Sequence, residues 1–139
     1  MAWIKYKYTC RYQANGTCTC NSPHVDIDLS YGGKSIKVVG LIDSGCEITN
    51  VNAEIADFFG IDLNTCTPIK MSGSTGEATV HMFNSKIKMK LKDQGDEFES
   101  PAIFVRDLPV PLLLGQDNFF EKFKIKFEKH NNTFELSRV

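Results

Sequence analysis

The sequence predicts an all-β fold, and three observations carry that expectation. Apolar and polar residues alternate in short runs, as where Val25, Ile27 and Leu29 interleave with Asp26, Asp28 and Ser30. Turn residues recur every ~8–12 positions, the rhythm of a sheet-rich domain. Helical periodicity is confined to one or two brief stretches. At 139 residues, 42% hydrophobic and 24% charged, the chain fits one domain with a core of its own.

The elements follow in order. Val25 to Ser30 reads as a half-buried strand, Tyr31-Gly32-Gly33-Lys34 as a turn, and Ser35 to Ile42 as the returning strand of a hairpin. Gly33-Lys34-Ser35 is not a phosphate loop. The upstream glycine of that motif would fall at Asp28, and a strand follows where a helix is needed. Asn52 to Phe59 predicts a short helix with Val51, Ile55 and Phe58 or Phe59 on its apolar face and Gly60 as its stop. Pro68 to Met71 and Ala78 to Phe83 flank Ser72-Gly73-Ser74-Thr75-Gly76-Glu77, a hairpin with a small, glycine-bearing tip. Ile87, Met89 and Leu91 alternate with lysines, Asp93 to Asp96 turns the chain, and Phe98 to Val105 returns it. Leu108-Pro109-Val110-Pro111 predicts a rigid loop, Leu112 to Gly115 an apolar strand end, and Gln116 to Lys122 a helix of one or two turns. Phe123 to Phe127 and Thr133 to Leu136 close the chain as a hairpin.

Charge and composition narrow the partners. A net charge of −1 without a basic run argues against nucleic acid, and no apolar stretch approaches the ~20 residues of a membrane span. The N-terminus alternates and lacks a signal-peptide apolar region, so an intracellular, cytoplasmic location is expected. The five cysteines are then expected as free thiols. Cys10, Cys18, Cys20 and His24 form an alternative zinc set, although Cys-x-Cys is tighter than the usual ligand spacing.

The chemistry concentrates at Asp43-Ser44-Gly45, which occurs once, at the end of the apolar run Val38 to Ile42. A carboxylate on a tight turn aimed by a buried strand suits acid–base work on a water. The two-carboxylate version of that chemistry needs a second acid, because two like charges ~3 Å apart share one proton. One copy in a short chain implies that a second chain supplies the other. Gly45 permits close backbone approach, and a Thr49 hydroxyl is placed to satisfy the turn.

The segment Leu41 to Thr49 resembles the signature of the retropepsin family, the retroviral and retroviral-like aspartic proteases. Leu113-Leu114-Gly115-Gln116-Asp117 is similar to that family's second signature, and the hairpin from Met71 to Ala78 falls between them, where the family places its flap. Over residues 23 to 137 the order and rough spacing match. The resemblance implies a closed acid-protease-like barrel, one lobe of a homodimer, preceded by a cysteine-containing extension over residues 1–22. It implies peptide-bond hydrolysis without a cofactor by paired Asp43 residues, with Ser44 and Gly45 in the catalytic turn. Substrate would lie against Cys46, Gly73, Ser74, Thr75, Gly76, Val110 and Leu113, and Thr49, Leu114 and Gly115 would support the site. Cys46 stands where the family usually has Ala, which either narrows a pocket and admits oxidation or is plain packing. The C-terminal hairpin is longer than a retroviral terminal strand, which assigns the dimer sheet to it. The phenylalanines from Phe119 to Phe134 are expected in the core and at dimer contacts. A silent peptide-binding or dimerisation module on the same fold is the alternative function.

Overall fold

The computed structural model describes residues 2–12, 15–73 and 76–139. Among these, the strands run β1 (Ile4–Lys7), β2 (Thr9–Tyr12), β3 (Cys18–Ser22), β4 (His24–Tyr31), β5 (Lys34–Ile42) and β6 (Asn50–Asn52). After the helix α1 (Ala53–Phe59) come β7 (Thr67–Gly73), β8 (Gly76–Met82), β9 (Ile87–Leu91) and β10 (Gln94–Ser100). The chain ends with β11 (Ile103–Val105), β12 (Leu112–Leu114), β13 (Phe123–Glu128) and β14 (Thr133–Arg138). The fold is all-β, as the alternation predicts. Among the described residues, no helix is long and apolar enough to cross a membrane.

Nine strands form one sheet in the order β10-β9-β4-β5-β12-β6-β11-β8-β7. Its two ends, β10 and β7, do not pair with each other among the described residues, so hydrogen bonds do not close the expected barrel. The β4–β5 hairpin pairs Val25 with Gly40 and Ile27 with Val38, and the Gly32-Gly33 turn has positive φ at both glycines.

The decisive topological feature is β12. It inserts between β5, to which it is parallel, and β6, to which it is antiparallel. Consecutive strands β5 and β6 are therefore not neighbours. The chain leaving Ile42 must cross the end of β12 before it returns at Asn50, which places residues 43–49 beside Leu114 and Gly115.

Helix α1 begins where the Asn52 side chain accepts from the Glu54 amide at 3.0 Å, and it stops at Gly60 with φ +74°. Its Ala53, Ile55, Ala56 and Phe59 are buried. The segment after Gly115 departs from expectation. It is a wide turn rather than an α-helix, because Asp117 is extended and Asn118 has φ +70°. Asn118 is held there by its amide donating to Glu121 at 2.6 Å and its side chain donating to the Glu99 carbonyl at 2.9 Å.

A three-stranded sheet, β1-β14-β13, packs on the same core through Phe123, Phe134 and Leu136. Phe119 and Phe123 meet with ring centroids 5.0 Å apart, whereas Phe127 is 43% exposed. Residues set apart as an extension by the sequence thus contribute a strand to this sheet, since Ile4 pairs with Leu136 and Tyr6 with Phe134. Tyr6 also stacks on the Phe134 ring.

Candidate active site

Asp43 stands at the first position beyond β5, half-buried, with Ser44 and Gly45 exposed. The turn is closed from within: the Gly45 amide donates to Asp43 Oδ1 at 2.9 Å and the Cys46 amide to the Asp43 carbonyl at 3.1 Å. It is also tied to the β12 end. The Asp43 amide donates to the Leu114 carbonyl at 3.0 Å, the Gln116 amide to Cys46 at 2.8 Å, and the Asp117 amide to Glu47 at 2.7 Å. Beneath it the fully buried Thr49 hydroxyl accepts from the Gly115 amide at 3.2 Å. Thr49, Leu114 and Gly115 therefore sit together beside the turn.

Gly115 is required by contact rather than by φ. A Cβ there would lie 2.6 Å from the Cys46 carbonyl oxygen and 3.0 Å from that of Glu47. At Gly45 a Cβ would come within 3.3 Å of Asp43 Oδ1, so a side chain there would press on the carboxylate.

A cleft of ≈ 510 Å³ opens in front of this turn. Asp43, Gly45, Cys46 and Glu47 line one side, Ile69, Met71 and Met82 another, and Ile48, Asn50, Ile103 and Leu113 complete it. Among the described residues, two carboxylates and no cation face a mostly apolar space. Cys46 borders the cleft, and its thiol is pushed up by burial and by the Asp43 charge, against a weaker opposing backbone hydrogen bond at Asn50. Its Sγ lies 2.9 Å from the Ile48 carbonyl. This is a quiet thiol, not an activated one.

Two expectations are corrected. Val110 does not line this cleft; it is buried and borders a separate one with Thr9, Cys10, His24 and Val39. Cys10 is disulfide-bonded, so it is neither a free thiol nor a zinc ligand. The side chains of Cys18 and Cys20 lie outside the described residues. His24 Nδ1 lies 2.8 Å from the Thr9 hydroxyl, and no metal-holding cluster occurs among the described residues.

The hairpin β7–β8 borders the cleft, pairing Met71 with Ala78 and Gly73 with Gly76. Gly76 is not among the residues that line the cleft, Gly73 is described only through its pairing with Gly76, and Ser74 and Thr75 lie outside the described residues. Ile69, Met71 and Met82, which reach the cleft, stand on the flanking strands of the expected hairpin and not in its glycine-bearing tip. Their signal is the period of two: Ile69 and Met71 share a face of β7, and Met82, opposite Thr67, lies on the same face of the hairpin. Gln116 is likewise a site residue that the motifs do not reveal. Its side-chain amide donates to the Ser44 carbonyl at 2.7 Å, a contact that no spacing rule anticipates.

No protein-family model matches the sequence, and no curated protein matches it. Solved structures do show likenesses. One is the crystal structure of a retropepsin-like aspartic protease from Rickettsia conorii, with a TM-score of 0.61 over 97% of this chain and 98% of that one, at 18% identity. The fold is that of a retropepsin-like protease. In that retropepsin-like frame, the crossing of β5 to β6 over the end of β12 is what presents Asp43.

Proposed function

We propose that the protein is a homodimeric aspartic endopeptidase that hydrolyses peptide bonds with Asp43 and its counterpart from a second copy. The observation that carries this reading is the Asp43 turn. It is fixed by hydrogen bonds at 3.0, 2.8 and 2.7 Å to the β12 end and opens onto an apolar cleft. One carboxylate accepts a proton from a bound water while the other donates to the scissile carbonyl. Ser44 and Gly45, both exposed, are free to meet the partner turn and an extended peptide. Ile69, Met71, Met82 and Leu113 favour an apolar side chain beside the cut. The β7–β8 hairpin, which borders the cleft, closes over the peptide as a flap and excludes water. The C-terminal β13–β14 hairpin contributes to the dimer sheet.

The test is a mixed peptide library presented to the wild-type protein and to Asp43→Asn, with oligomeric state measured by sedimentation. Cleavage should vanish in the variant while the dimer persists. Equal cleavage by both proteins, or a monomer that cleaves, rejects the reading. A dimer that binds peptides and cuts none would be the silent module instead.

A further inference from the structure

We propose that Gln116 is a positioning residue that sets the orientation of the Asp43 carboxylate through the Ser44–Gly45 peptide unit. This rests on the catalytic reading of Asp43. The Ser44 carbonyl and the Gly45 amide are opposite ends of one planar group, so neither turns without the other. At one end Gln116 Nε2 donates to the Ser44 oxygen at 2.7 Å. At the other end the Gly45 amide donates to Asp43 Oδ1 at 2.9 Å. The three form a chain: side-chain amide, peptide plane, carboxylate. Successive hydrogen bonds of this kind polarise one another in the same sense.

The rest of the turn does not supply this constraint. The bonds at its two ends, from Asp43 to Leu114 and from Gln116 and Asp117 to Cys46 and Glu47, are all main chain to main chain. With the Cys46 amide's bond to the Asp43 carbonyl at 3.1 Å they fix where the turn starts and finishes, but among the described residues none of them engages the Ser44 carbonyl or the Gly45 amide at the crest. The Gln116 side chain is the group that reaches that crest. It is exposed, so replacing it opens no core cavity, and its own amide keeps its bond to Cys46. A substitution therefore removes one interaction and leaves the frame.

Gln116→Glu makes the role visible with pH. Protonated, the introduced carboxyl has nearly the shape of the amide and still donates to the Ser44 carbonyl. Ionised, it has no proton to give and faces an oxygen. Two measurements are made on the wild type, Gln116→Ala and Gln116→Glu: steady-state cleavage of a library-derived peptide from pH 3.5 to 7, and the Gly45 amide resonance over the same range.

Gln116→Ala should lose about 10-fold in kcat at every pH with KM held within about 2-fold, as befits one lost neutral hydrogen bond. Gln116→Glu should approach wild type at the acid end and fall to the Gln116→Ala level as pH rises past about 4.3, the ordinary Glu value. Its Gly45 resonance should move over the same interval. Wild-type kcat in both variants, a loss confined to KM, or a Gln116→Glu deficit that ignores pH would overturn the proposal. If the wild type cleaves no peptide, the catalytic reading fails by itself, and the Gly45 resonance still decides about Gln116. A resonance unmoved in Gln116→Ala rejects the coupling. One displaced there and titrating in Gln116→Glu sustains the mechanical link.

Discussion

Residues 43–49 and the β7–β8 hairpin border the same cleft, yet they are built in opposite ways. The first wall is crowded. Thr49 is fully buried, the turn is bonded to the β12 end at three main-chain points, and Gly115 is so close to the Cys46 carbonyl that one methyl would collide with it. The second wall is open. Residues Gly76 to Thr79 are exposed, Met71 is 42% exposed, and β7 is an edge strand whose outer side has no neighbour in the sheet among the described residues. The contrast shows where a small change is costly. Close packing transmits a displaced methyl to the backbone of the carboxylate turn, whereas a protruding hairpin absorbs it.

The sharpest way to break the comparison is Gly115→Ala. The added Cβ meets backbone oxygens at 2.6 and 3.0 Å, and backbone cannot swing aside as a side-chain tip can. The expected loss is about 3 kcal/mol of unfolding free energy, the upper end of ordinary overpacking, read from urea denaturation. A variant as stable as the parent would mean that the turn yields, and the fixed wall would not be fixed.

Much of this is legible in the sequence, and the reasons are physical. Strands with one buried face write a period of two into the chain, so β4 and β9 can be read from Val25, Ile27, Leu29, Ile87, Met89 and Leu91. The Asp43 turn and Leu114-Gly115 are legible because steric demands restrict which residues can stand there. Three things are not. Sheet closure depends on whether β10 meets β7, which pairing signals within a strand do not encode. The segment after Gly115 carries a helix-compatible composition, but the Asn118 bond to Glu99 pulls it into positive φ. The Gln116 contact with Ser44 spans 72 positions and belongs to tertiary geometry alone.

On the open wall, Gly76→Ala is the matched experiment. Here the difficulty is conformational: φ is +115°, a value side chains rarely adopt, but nothing lies within 4 Å of the added Cβ. A cost of about 1 kcal/mol is expected, and the hairpin can reduce it by shifting at its tip. Urea midpoints of the two glycine variants, measured side by side, place the two walls on one scale. Equal losses would erase the distinction between crowding and strain.

The smallest effect belongs to Cys46, which lies on the fixed wall but touches the cleft. Burial raises its thiol most, and the Asp43 charge adds to that. A raised value favours the neutral thiol in the folded protein. That contribution to stability is complete below the unfolded thiol's value and is lost as pH rises through the folded one. Alkylation at Cys46, followed by mass spectrometry to separate it from buried Cys66, should therefore be slow at neutral pH. It should accelerate only beyond the usual thiol range of about 8.5. Asp43→Asn removes the second cause and should bring the onset to lower pH, but leave it above that of the unfolded chain, because burial raises the thiol more than the charge does. If labelling at neutral pH matches the unfolded protein, the wall opens often enough to expose its thiol, and the comparison between a fixed and a yielding side weakens at the point where the two meet.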